Sequence, residues 1–227
     1  MANTCNCDLC ELRSLFFNNV SKTELESLCN LKVERKYPRG EQIVEEGAEI
    51  TDFNYLKSGL VKLYRSSNER EQIITIAKPF DFISLLSVFS DSRYKYSVSA
   101  IEDSVICSIN ITEVKNLVKT NGTFALELLE KMNKIADNII IESLDIRRKH
   151  LRGRIAHILL YFAGYIYNTH EFELPVSRKE IAEYIGMTTE NVIRTLSEFR
   201  KDKIIKINGK IIEIINRDTL EMISQLG

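Results

Sequence analysis

Two sets of residues in this chain carry polar chemistry in a recognisable pattern. Glu190, Arg194 and Ser197 share one side of a short amphipathic stretch, while Val192, Leu196 and Phe199 take the opposite side at i, i+4 and i+7. A carboxylate and a guanidinium one helical turn apart give an acceptor beside a donor on a solvent-facing surface. The second set is Cys5, Cys7, Cys10, Cys29 and Cys107. Three thiols crowded near the start, in a chain read as cytoplasmic, point to metal or redox use rather than a disulfide framework. Two other readings stay open: a zinc site or thiol sensor in the arm, and Cys29 and Cys107 as small buried hydrophobes. No Ser-His-Asp order, phosphate loop or zinc-hydrolase motif occurs, so no catalysis is expected.

The polar face belongs to a longer pattern. Ser177 and Glu180 form a capping box at a helix start, and Ile181 and Ile185 fall on one face of that helix. Gly186 permits a sharp turn and Thr188 caps a second helix, which bears Glu190 and Arg194. Two short helices joined through a glycine make a helix-turn-helix, an arrangement that reads DNA. Asn208-Gly209 lies between isoleucine-rich runs as a hairpin signal, and this hairpin makes the wing of a winged helix.

The 227 residues are 44% hydrophobic and 28% charged, a globular balance with room for two modest cores. No apolar run reaches membrane-spanning length and no signal-peptide core is present, so a cytoplasmic location with no membrane partner is expected. The formal net charge of −1 is unevenly placed. Residues 1–146 carry 17 Lys and Arg against 22 Asp and Glu, a net of −5; residues 147–227 carry 14 against 10, a net of +4. The helix-turn-helix part is the basic part.

Along the chain, residues 1–12 are a cysteine-bearing arm, and Ser21 with Glu24 caps a short helix packed through Leu25 and Leu28. From Val33 to about Ile111 some eight short strands, Asp81–Leu85 among them, alternate with turns at Gly40, Gly47 and Gly59, which predicts a sandwich or barrel. A helix without Gly or Pro runs from Thr123 to about Lys149, and Leu128, Met132, Ile135, Ile139 and Ile146 form along it either a seam for a partner helix or the inner face of an ordinary core-facing helix, the seam being the reading taken forward. Arg147–Arg154 is a basic hinge, either a solvated face or a phosphate contact; a helix over Ile155–Ile166 and a loop over Asn168–Leu174 follow. The fold class is therefore α+β. Its predicted divisions are a sensor domain with its arm at 1–120, a dimerisation helix at 121–149 and a winged helix-turn-helix at 150–227.

Order, length and local residues together resemble the cyclic-AMP receptor / fumarate–nitrate regulator (Crp/Fnr) family of bacterial transcription factors. The match covers nearly the whole chain. It rests on the glycines at 40, 47 and 59, on Gly153-Arg154-Ile155-Ala156, and on Thr189-Glu190-Asn191-Val192-Ile193-Arg194. The resemblance implies a β-roll sensor, a jelly roll like that which binds cyclic nucleotides, and a homodimer on a near-palindromic site of double-stranded DNA. It implies RNA polymerase as a further partner. It also implies that Glu190 and Arg194 read base edges, with Thr189 and Ile193 beside them. A carboxylate accepts from cytosine N4 and a guanidinium donates to guanine O6 and N7, while Ile193, where relatives carry a small residue, either meets a thymine methyl or sets a different preference. Arg178, Lys206 and Lys210 are expected on phosphate.

Relatives that bind cyclic AMP carry Gly-Glu and Arg-Ser pairs in the roll. Ser84 and Leu85 stand in place of the first pair and Tyr94 and Lys95 near the second, so cyclic AMP is not expected. Oxygen-sensing relatives hold a [4Fe–4S] cluster with three arm cysteines and one in the roll. Here Cys7, Cys10 and Cys107 match; the third arm position falls near Leu15, leaving Cys5, or else Cys29, to complete four ligands. The haem alternative is disfavoured, because His150, His157 and His170 lie beyond the sensor. Two other functions compete: a thiol-redox protein acting through Cys7 and Cys10, and a ligand-binding module whose DNA-binding part is vestigial.

Overall fold

The computed structural model describes Val20, Ser21, Glu24, Glu26, Leu28 and residues 31–226, except 68, 69, 85 and 86. Cys5, Cys7, Cys10, Cys29, Leu15, Leu25 and Leu85 lie outside the described residues. The chain divides into two units. One holds the residues up to Arg65 together with Thr75–Asn138, the other Ser66–Ile74 together with Ile139–Gly227.

In the first unit the Ser21–Glu24 capping box forms as predicted. The Glu24 N–H donates to Ser21 Oγ (3.3 Å) and the Ser21 N–H to Glu24 Oε2 (2.9 Å). The strands before the long helix are β1 Val33–Tyr37, β2 Gln42–Val44, β3 Asp52–Ser58, β4 Val61–Ser67, β5 Arg70–Ala77, β6 Ser97–Ala100 and β7 Ser104–Asn110, of which the end of β4 and most of β5 (Ser66–Ile74) group with the second unit. They make two sheets, β1-β7-β3 and β2-β6-β4-β5, in keeping with the sandwich or barrel expected from the spacing and the roll that the resemblance implies. Leu56, Val61, Ile83, Val88, Val98 and Cys107 are wholly buried in this unit. Gly59 (φ 86°) turns β3 into β4, and a β-carbon there would collide with Asp103 O and Ser104 Oγ. No larger residue fits that crossing.

Of the predicted strand Asp81–Leu85, the described part, Asp81–Ser84, is not a strand, which corrects the sequence reading. Phe80 sits at φ 76°, Lys78 N–H donates to Asp81 Oδ2 (2.9 Å), and only Phe82 bridges to β3, at Tyr55. Backbone bonds to β3 persist over this short stretch (Leu56 N–H to Asp81 O, 2.9 Å; Ile83 N–H to Asn54 O, 3.1 Å), and then Ser84 Oγ takes the Asn54 N–H (2.8 Å) in place of a carbonyl. Helix α1 (Ile111–Thr120), unread in the sequence, follows β7; Asn110 caps it and Ile111, Val114 and Leu117 face inward.

Helix α2 (Gly122–Arg148) is the long helix. Leu128 and Ile146 are buried within the single chain and Met132, Ile135 and Ile139 are half-buried. The apolar side chains exposed on this helix are Leu126, Leu129, Ile140, Ile141 and Leu144, each more than half open to solvent.

The second unit contains α3 (Leu151–Leu160), which continues as a π-helical turn over Tyr161–Ile166. Then come α4 (Arg178–Ile185), α5 (Thr189–Lys201) and α6 (Arg217–Leu226). Strands β8 Glu171–Glu173, β9 Ile205–Asn208 and β10 Ile211–Ile214 form a sheet in the order β8-β10-β9. The predicted loop over 168–174 therefore contributes an edge strand, with Phe172 opposite Ile212.

Candidate nucleic-acid interface

Helix α4 starts as the sequence required. The Glu180 N–H donates to Ser177 Oγ (3.1 Å) and the Ser177 N–H to Glu180 Oε2 (2.8 Å). Ile181, Ala182 and Ile185 bury one face. Gly186, at φ 69° and ψ 48°, ends the helix in the left-handed region, and Gly186 and Met187 both donate back to Ala182 O. Thr188 then caps α5, accepting from the Asn191 N–H at 3.3 Å.

Val192, Thr195, Leu196 and Phe199 are buried under α5, so its orientation on the core is fixed by four successive inward positions. On the opposite face Glu190, Ile193, Arg194 and Ser197 are exposed, and Thr189 is half-buried. Glu190 makes no hydrogen bond or ion pair with any described residue. The Arg194 guanidinium donates to Asn191 Oδ1 (3.1 Å) and lies 3.9 Å from Glu198 Oε1, leaving most of its five N–H groups open. Ser197 Oγ is occupied, donating to Ile193 O at 2.9 Å.

The hairpin forms with one shift from the expected turn. Asn208 pairs with Ile211, so the two-residue loop is Gly209-Lys210, with Gly209 at φ 63°. The wing lysines are tethered at its flank: Lys206 Nζ donates to Glu213 Oε2 (3.1 Å), its cross-strand neighbour, and Lys210 Nζ lies 3.8 Å from Glu173 Oε1. Arg178, half-buried at the first turn of α4, has no carboxylate partner among the described residues, and burial lowers its pKa from the usual arginine value. The basic run before the motif is mostly turned inward: Lys149 donates to Ser224 O, Arg152 pairs with Glu198 and Asp202, and Arg154 binds carbonyl oxygens. Only Arg147 and Arg148 of that run are exposed side chains with positive charge free of such ties.

In the roll, the positions tied to cyclic-nucleotide binding by resemblance are engaged internally. Ser84 is wholly buried against Asn54, and Tyr94 OH accepts from Asn54 Nδ2 at 3.1 Å. Lys95 is exposed and lies 2.5 Å from Asp91, an ion pair that with the Ser92 N–H holds the Asp91 carboxyl down at about 2. Cys107 is wholly buried on β7 between Glu34 and Tyr55 of the flanking strands. Burial pushes its thiol up to about 11, against a hydrogen bond with Tyr55 that pulls the other way. An iron–sulfur cluster takes four thiolates; the described fold offers this one protonated thiol, and no three His, Cys, Asp or Glu side chains converge among the described residues. The described residues do not make up a site for the cluster.

Comparison with known proteins agrees with this architecture. Residues 34–121 match the family model of the cyclic nucleotide-binding domain, and residues 153–223 that of the Crp-like helix-turn-helix domain. The chain is 26% identical to Electron transport regulator A of Shewanella oneidensis, over 96% of this chain and 90% of that one. It is 27% identical to Regulatory protein HlyX of Actinobacillus pleuropneumoniae, over 96% and 93%. The solved structure of FixK2 from Bradyrhizobium japonicum superposes with a TM-score of 0.77 at 24% identity, covering 85% of this chain and 96% of the other, a likeness of fold. No helix among the described residues is long and apolar enough to cross a membrane. In this chain the nucleotide-binding-type roll and the Crp-like helix-turn-helix follow one another, and it aligns with nearly the full length of these regulators: the chain has the domain make-up of the Crp/Fnr transcription regulators.

Proposed function

We propose that the protein binds a near-palindromic DNA site as a homodimer, reads base edges with Glu190 and Arg194, and acts on transcription through RNA polymerase. The observation that carries this is the outward face of α5: two opposite charges one turn apart, exposed and lightly held, on a helix capped at its start and anchored by four buried residues. Glu190 accepts from a cytosine amino group, Arg194 donates in a fork to guanine, and Ile193 and Thr189 flank them against thymine methyls and backbone. Arg178, Lys206 and Lys210 neutralise phosphates and set the register. Residues 1–120 serve as sensor, 121–149 as the coupling and dimer helix, and 150–227 as the reader. The signal is one other than cyclic AMP, since Ser84-Leu85 in place of a Gly-Glu pair offers no carboxylate for a ribose and Lys95 is engaged by Asp91.

Two such helices, related by a two-fold axis, enter successive major grooves about 34 Å apart. Arg194→Ala is expected to cost about 1–3 kcal/mol of specific binding and to relax discrimination at one base position per half-site. Selection of binding sites from a random library with this variant tests the assignment. An unchanged base preference would remove Arg194 from the reading face.

A further inference from the structure

The basic run before the helix-turn-helix looks like a flexible joint in sequence, and its geometry is the reverse. Arg154 spreads one guanidinium over the ends of two helices. Nε donates to Lys149 O (2.8 Å) and Nη2 to Arg147 O (3.3 Å), at the end of α2, while Nη1 donates to Ile185 O (2.9 Å), the last residue of α4. Helix C-termini present carbonyls without intrahelical partners and a negative dipole end. A planar fork with five donors reaches all three; an ammonium does not.

A second tie joins the same helices one turn and a half earlier along α2. Glu142 Oε1 accepts from Tyr184 OH on α4 at 3.1 Å and lies 3.3 Å from His157 Nε2 on α3. A carboxylate here has only acceptors to offer, so the imidazole nitrogen facing it carries the hydrogen. Both partners are about three-quarters buried, Glu142 at 26% and His157 at 24% side-chain exposure, which keeps the tie out of bulk solvent. Arg152 completes the set of ties. It pairs with Glu198 (2.8 Å) and Asp202 (3.1 Å) on α5 and stacks 5.0 Å over the Phe199 ring.

We infer that Arg154 and Glu142 are positioning residues for DNA binding: they hold α4, and through it α5, against the end of the long helix, and so fix the distance between the two reading helices of a dimer. The inference rests on the dimeric DNA-binding reading above. Neither residue belongs to the outward face of α5. Their effect is on where that face is held, not on what it reads.

The test uses the full chain and operators with one half-site sequence and spacers varied by single base pairs. Arg154→Lys keeps the charge and loses the fork; Tyr184→Phe removes the hydroxyl that donates to Glu142. In both variants the preference for the best spacer over its neighbours is expected to fall about tenfold, the equivalent of one charge-assisted hydrogen bond. Base preference within each half-site stays as in the parent. An unchanged spacer profile in both variants, or an equal loss of affinity at every spacer, overturns the inference. Amide hydrogen exchange of Arg178–Ile185 without DNA gives an independent reading. The variants should exchange about tenfold faster there, and unchanged exchange overturns the ties whatever the DNA result. A parent chain that binds none of the operators sinks the DNA-binding reading instead, and this inference with it.

Discussion

Two aspartates ten residues apart in the sensor are pushed in opposite directions, and the difference is environment. Asp91 is exposed beside Lys95; Asp81 is enclosed, and burial raises its carboxyl from 3.8 against the pull of the Lys78 N–H and ammonium. A carboxyl whose folded value lies above its unfolded one contributes to stability in full below the unfolded value, and the contribution is lost as pH rises through the folded value. At neutral pH the ionised Asp81 therefore weighs against the fold. Asp81→Asn keeps an acceptor for the Lys78 N–H and removes the charge. Its thermal midpoint should exceed the parent's at pH 7 and converge with it as the pH is lowered towards about 3. A difference that does not vary with pH would mean that burial of charge is not what Asp81 contributes.

At the level of single elements, the wing gives the sharpest expectation, because its lysines are held rather than free. Lys206 faces Glu213 across the β9–β10 pair, and binding phosphate requires exchanging that carboxylate for the DNA backbone. Lys206→Ala should weaken all sequences alike and flatten the plot of log affinity against log salt by about 0.9 for each phosphate it no longer neutralises. Glu213→Gln should strengthen non-specific binding. A parental slope for Lys206→Ala would take Lys206 off the phosphate. Elements of this kind were legible in the sequence wherever the deciding bonds are local: Ser21 with Glu24, Ser177 with Glu180, Gly186 and Thr188 each act over a few residues, and each forms. Strand β8 escaped because its partner β10 lies about forty residues on, whereas α1 and α6 start on local asparagine caps, at Asn110 and Asn216, that the sequence reading passed over. The basic run escaped for the same reason as β8. Arg152 and Arg154 meet Glu198 and Ile185, which lie 46 and 31 residues further on, and spacing alone could not show a charge turned inward.

For the molecule as a whole, the question is which face of α2 meets a second copy. The predicted seam of Leu128, Met132, Ile135, Ile139 and Ile146 is covered or half-covered by the chain itself, so a partner helix has little left to bury there. A neighbouring face remains open, on which Leu126, Leu129, Asn133, Ala136 and Ile140 step by three, four, three and four, with Leu144 at its edge. That spacing keeps one stripe facing a partner along a left-handed coiled coil, and a polar Asn133 within it favours a single register. Four large aliphatic side chains, each more than half exposed on one helix, also form an apolar patch of the kind that marks an interface. Ile140→Lys places a charge at the C-terminal end of this stripe, beside Leu144, without changing a residue of the roll or the helix-turn-helix. It should shift sedimentation equilibrium from dimer to monomer and weaken operator binding at least tenfold, because each half-site is then held by one reading helix alone. The same substitution at Ile146, buried within its own chain, should instead lower the thermal midpoint. A dimer that survives Ile140→Lys with its affinity for DNA intact would place the interface on a different face of the long helix.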